Sequence, residues 1–184
     1  VLGGVLAFFG FQEYKVGKGA KPEPAEVELA EIEAGTADLS NAHIKIGKHI
    51  AFPDSYVGWG SETKIDYIFY PIFTETSLNA AKESGDITPA VLIRTTKYAK
   101  ENEIPEGPLE VESIQGLVTN KIRKLKSENR RDLVEAFPKF DEEKVLLLEV
   151  GRKPSGPAKY FGMLGGGALV ALLGLGWMFS GGRQ

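Results

Sequence analysis

Residues 64–73 read KIDYIFYPIF, and charge is confined to the first and third positions while β-branched and aromatic side chains fill nearly all the rest. That composition suits a pleated, half-buried surface and makes this the strongest strand of the chain. Pro71 removes a backbone donor, so the second half of the strand is expected at an edge or a bulge. On its N-terminal side, residues 53–63 (PDSYVGWGSET) are dense in turn formers and read as a loop. Before them, residues 43–52 (HIKIGKHIAF) alternate, with Ile44, Ile46 and Ile50 turned to a core and a bulge expected near Gly47. Residues 25–35 (AEVELAEIEAG) read as a short strand and a turn of helix ended by Gly35.

On its C-terminal side, residues 77–84 suit a short helix capped by Ser77. Residues 90–97 (AVLIRTTK) and 108–119 (PLEVESIQGLVT) are strands, the second interrupted at Gly116. A helix is expected over 127–137, opened by Ser127, stopped by Pro138, with Leu133, Val134 and Phe137 on one apolar side. Residues 143–150 (EKVLLLEV) close the series as a strand whose run 145–148 suggests burial on both faces. Five or six strands and few helices make an α+β, β-rich domain over 27–151, of the kind a small partly open barrel would need.

Both ends differ in kind from this domain. Residues 160–179 (YFGMLGGGALVALLGLGWMF) hold no charge and are bracketed by Lys159 and Arg183. Twenty helical residues at about 1.5 Å each match a hydrocarbon core of roughly 30 Å, so 160–180 is expected to span a membrane, with Tyr160 and Trp177 near the headgroups. The chain opens on VLGGVLAFFGF, also uncharged, and residues 1–14 are read as the C-terminal part of a second span. Small residues form stripes in these segments: Gly3, Ala7 and Gly10; Gly167, Ala171 and Gly174; and the Gly162–Gly166 pair spaced as GxxxG. Such stripes let helix backbones approach closely in lipid.

Basic linkers, residues 15–26 and 152–159, join spans and domain. Outside residues 22–151 lie seven cations (Lys15, Lys18, Lys21, Arg152, Lys153, Lys159, Arg183) and one acid, Glu13; taking these from the totals of 22 and 25 leaves 15 cations against 24 acids, a net of −9. An acidic globule of that kind repels nucleic acid, whose affinity for proteins rests on phosphate neutralisation. The collars suit anionic lipid headgroups. Six of the seven cations flank the domain, which leans its side toward the cytoplasm.

Cys is absent, which excludes thiolate catalysis, disulfides and Cys-based metal sites. The two histidines, His43 and His49, could join a carboxylate such as Asp54 or Asp66 in a metal site only if they share a strand face. Tyr56, Trp59, Tyr67 and Tyr70 concentrate around the GWG turn and are candidates for a partner or ligand contact. Lys121, Arg123, Lys124 and Lys126 open the one basic cluster, 121–131, and are candidates for anionic lipid. No phosphate loop or dinucleotide fingerprint is present, so no cofactor is expected.

A membrane helix at each end of a β-rich domain resembles the Surfeit-type assembly proteins in layout alone, and it is the absence of nucleophile, metal and nucleotide signatures that favours a non-catalytic role. The expected function is that of a non-catalytic integral membrane protein with two spans, an accessory or assembly subunit whose partners are lipids and other membrane subunits. The alternative is a membrane-anchored sensor or enzyme using residues 56–70 with His43 and His49.

Overall fold

The computed structural model describes residues 19–154 apart from 62, 86 and 121–124, together with Phe8, Phe11 and Tyr14. The chain divides into two compact units, Glu23–Lys153 and the combination of Val1–Pro22 with Pro154–Gln184. Among the described residues no helix is long and apolar enough to cross a membrane. The expected span 160–180 and the stripe residues Gly3, Ala7, Gly10, Gly162, Gly166, Gly167, Ala171 and Gly174 lie outside the described residues.

The larger unit is β-rich, with a curled half-barrel sheet and few helices. Its strands are β1 (Ala25–Val27), β2 (His43–Ile46), β3 (His49–Ala51), β4 (Val57–Ser61), β5 (Lys64–Phe73), β6 (Val91–Thr95), β7 (Leu109–Val111), β8 (Ile114–Val118) and β9 (Leu146–Val150). Its helices are α1 (Leu29–Glu33), α2 (Glu75–Ser84) and α3 (Ser127–Ala136). The sheet runs in the order β1-β2-β8-β9-β6-β5-β3-β7, and β4 pairs with the first half of β5. β5 is thus the organising strand, as its composition predicts: β6 lies along one edge, while β4 and then β3 share the other.

Pro71 sits where that second edge changes partner. Its carbonyl accepts from Phe52 N at 3.1 Å, in the segment between β3 and β4. Carbonyl and nitrogen of one strand residue point the same way, so the missing donor falls at the change of partner and interrupts no regular ladder. The apolar run 145–148 is buried throughout, as expected for a strand covered on both faces. On one face, Phe69, Leu92 and Leu147 pack with Leu133 and Phe137 of α3 and with Phe140 and Val145. Ile68, Ile72, Ile93 and Leu148 point to the other face and are fully buried.

Several local expectations change. Residues 57–61 are a strand, β4, despite Gly58 and Gly60: the exposed edge of β5 supplies a partner, and the register shift between Trp59 and Gly60 accommodates the tight approach. A Cβ on Gly60 would stand 2.1 Å from the Lys64 carbonyl oxygen, so this position requires glycine. At Gly47 the chain breaks into two strands with different neighbours, β2 beside β1 and β8, β3 beside β5 and β7. α2 begins at Glu75, and its cap is Thr74, whose hydroxyl accepts from Ser77 N at 3.1 Å. The Glu33 carboxylate, at the end of α1, holds that corner by accepting from Thr74 N at 3.1 Å and from Ser77 Oγ at 2.6 Å. In α3 the buried stripe is Asn129, Leu133 and Phe137, four residues apart, so Val134 falls off it and is 43% exposed.

Candidate functional site

The residues singled out around the GWG turn do not form one site. Strand parity separates them. Val57, Phe69, Arg94, Glu149, Leu117 and His43 are successive register partners across β4, β5, β6, β9, β8 and β2, so they lie on one face, the face that α3 covers. Trp59 and Tyr67, two residues along, join them there. Tyr70 points to the opposite face and is 9% exposed. Burial, reinforced by the neighbouring Tyr98, pushes its phenol pKa well up, so Tyr70 stays protonated through the physiological range. Tyr56 lines an open polar cleft with Asp54, Lys64, Lys100 and Glu106, where it donates to Glu101 Oε1 at 3.3 Å, and it also borders an apolar groove with Phe52 and Phe73. Partial burial, then the Glu101 charge, raises its pKa.

Trp59 and Tyr67 stack at 5.3 Å and 24°, and Phe69 meets both edge-on. Arg94 closes the ladder with its guanidinium carbon 4.2 Å from the Tyr67 ring centroid. The same guanidinium pairs with Glu149 at 2.5 Å, and Glu149 also holds Arg152 at 3.1 Å, where the chain leaves the sheet. The polar tips of the two rings serve α3: Trp59 Nε1 donates to Asp132 at 3.0 Å, and the Asn129 amide donates to the Tyr67 hydroxyl at 3.1 Å. These aromatics therefore seat a helix on the sheet. Arg94, Asn129, Asp132 and Glu149 were not singled out from the sequence; the one signal was an arginine within the apolar run of residues 90–95.

The histidines are parted as well. His43 lies on the α3 face, where the Gln115 side-chain amide donates to its Nε2 at 2.9 Å. His49 follows the break at Gly47 and faces the other way: Ile50 pairs with Phe73, which shares the α3 face with Phe69, so His49 and Ala51 point to the opposite side. Among the described residues no group of three or more His, Asp or Glu could hold a metal ion. His49 Nδ1 donates to the Gly47 carbonyl at 2.7 Å, which leaves Nε2 as the acceptor, buried and without a partner. Burial outweighs the carbonyl bond and lowers the His49 pKa below 6.5.

That shift predicts an acid-side loss of stability. Below pH 6.5 the unfolded chain takes up a proton on His49 that the folded chain resists, so stability rises with pH across the interval between the lowered folded value and 6.5. For a single group the slope cannot exceed about 1.4 kcal/mol per pH unit. Urea unfolding at pH 5 and pH 7 should show it, and His49→Gln should flatten the difference; an equal difference in both proteins would rule out His49 as its source.

Of the basic cluster, Lys121, Arg123 and Lys124 lie outside the described residues. Lys126 is exposed at the start of α3, while Arg130 pairs with Glu142 and Arg131 with Asp132.

The feature on the domain that best suits contact with another molecule is an apolar groove, of whose lining the sequence singled out Tyr56 alone as a candidate contact. It lies between α2 and the end of α3, has a volume of about 810 Å³, and is floored by Phe52, Pro71, Phe73, Leu78 and Phe137. Phe52 and Phe73 meet edge-on at 5.8 Å. Ile87 stands on its rim, 59% exposed. A family resemblance could have placed these features in a known function, but no family model, curated protein or solved structure matches the chain.

Proposed function

We propose that this chain is a non-catalytic accessory or assembly subunit of a larger membrane complex, anchored by two spans, residues 1–14 and 160–180, with the domain as its extramembrane contact. What carries the reading is the uncharged twenty-residue run 160–179 with its glycine stripes, beside a domain whose aromatic cluster is committed to seating α3. The open groove beside Ile87 supports it, because large apolar side chains left in water at the edge of an apolar groove favour association. Lipids and other membrane subunits are the partners; the basic linkers place the domain close to headgroups, and the flanking charges lean it to the cytoplasmic side.

In mild detergent the protein is expected to migrate on native gels with stoichiometric partners identifiable by mass. Alkaline carbonate should leave it in the membrane pellet. Gly166→Ile places a branched side chain in the GxxxG pair, and it should loosen the complex while the domain unfolds at its usual temperature. A lone monomer in mild detergent, insensitive to Gly166→Ile, would overturn the reading and favour the sensor or enzyme alternative built on residues 56–70.

A further inference from the structure

We infer that the corner at Gly47 is an acid-sensitive latch: protonation of His49 releases the short end of the sheet, β3 with β7, while the rest of the domain stays folded. The device belongs to the fold and does not depend on the docking function proposed above. His49 is 2% exposed, and its Nδ1 donates to the Gly47 carbonyl at 2.7 Å. Nε2 is buried and has no partner. By register, the neighbours of His49 on its side of the sheet are apolar: Val111 stands opposite on β7, and Ala51, the next residue of β3 on that face, lies between Ile72 and Leu109. A proton on Nε2 adds a donor and a charge where the register places no acceptor, which a dry interior penalises.

The charged groups on the elements around this corner are engaged elsewhere or stand in water. Lys48 and Glu110 pair with each other at 3.3 Å, both well exposed, and by parity they point to the other face of the sheet. Glu28, before α1, lies against Gly47 but is exposed, as are Glu112 after β7 and Glu75 at the start of α2. Glu33, at the end of α1, accepts from Thr74 N and Ser77 Oγ. The element that carries His49 is also the one most lightly held. β3 meets β5 at Ile50–Phe73 and Ala51–Ile72, the shortest seam of the sheet among the described residues, whereas β6 follows β5 from Ile68 to Ile72. β7 ends the strand order and is paired to β3, so it leaves with β3. Opening of such a terminal unit costs less than global unfolding. Burial holds the closed-state pKa of His49 below 6.5, while an imidazole released to water takes up its proton at about 6.5. Acidification from pH 7 to pH 5 therefore favours the open form by up to about twenty-five-fold.

The test is amide exchange read by mass spectrometry on the full chain in mild detergent, at pH 7 and pH 5, corrected for the intrinsic pH dependence of exchange and followed in urea below the unfolding midpoint. In peptides covering residues 49–51 and 109–111, exchange should quicken on acidification by at least about fivefold, toward the ceiling of about twenty-five-fold. It should depend little on urea, because a local opening exposes little surface. Peptides of β6 and β9 should keep the steep urea dependence of global unfolding. His49→Gln and His49→Leu should each lose the acid gain in β3 and β7. Equal rates and equal urea dependence in β3, β7, β6 and β9 would make the opening global and overturn the inference. An undiminished acid gain in both variants overturns it too, by removing His49 from the latch. The chain has two histidines, so carbon-13 NMR of the imidazoles follows His49 in the unmutated protein as well. A His49 ring that takes up its proton while β3 and β7 stay protected is a third outcome against the inference.

Discussion

Replacing Phe69 by Ala is expected to destabilise the domain by about 3–5 kcal/mol, the range for truncating a large buried aromatic. Phe69 is 1% exposed and lies at the junction of β4, β5 and β6, under α3. Its ring meets Trp59 at 5.4 Å and Tyr67 at 6.0 Å, both edge-on, and it shares a cluster with Leu92, Leu133, Phe137 and Leu147. The resulting void cannot close easily, because the walls are a hydrogen-bonded sheet on one side and, on the other, a helix held by Trp59–Asp132 and Tyr67–Asn129. Domains of this size are stable by about 5–15 kcal/mol, so the variant would lose a large share of its margin. With a urea slope of roughly 1–3 kcal/mol per M, the midpoint should fall on the order of 2 M. A loss under about 1 kcal/mol would mean that the α3 face is not the load of the fold.

Gly116→Ala should cost about 3 kcal/mol, the upper end for steric overfilling, although alanine adds a single carbon. A Cβ there would stand 2.4 Å from the Glu149 carbonyl oxygen and 2.9 Å from its carbon, both backbone atoms of β9. Neither can rotate away, so β8 and β9 must separate. The consequence is larger than one contact, because β1 and β2 join the sheet through β8, and β8 joins it through β9. Amide exchange should quicken at Leu117 and Val118 in β8, and in β2, before it changes in β5 and β6. Uniform protection across all strands, at unchanged stability, would show that the two strands tolerate the added carbon.

Much of the domain was legible in sequence because burial writes a local period. The β5 run, the run 145–148 and the alternation at Ile44 and Ile46 each mark a strand by what its side chains need, whatever the neighbouring strand turns out to be. The same holds for α3, whose end at Pro138 follows from proline geometry. β4 was not legible: its glycines read as a turn, and only the open edge of β5 makes a strand of them. The candidate site was less legible still. Tyr56, Tyr67 and Tyr70 are close in sequence, yet they fall in a cleft, under α3 and on the opposite face of the sheet.

By itself, then, the sequence determined the β-rich character of residues 27–151, the acidic charge of that region, the absence of thiol chemistry and the uncharged ends that motivate a membrane reading. Those are properties of composition and of one chain segment at a time. Only the tertiary structure decided that His43 and His49 point to opposite sides of the sheet, that Trp59 and Tyr67 hold α3, that Arg94 meets Glu149, and that Phe52, Leu78, Ile87 and Phe137 border one groove. The physical reason is parity and pairing: a break that shifts the alternation by one residue, as between β2 and β3 at Gly47, turns every later side chain to the other face, and which strands become neighbours depends on contacts between segments far apart in the chain.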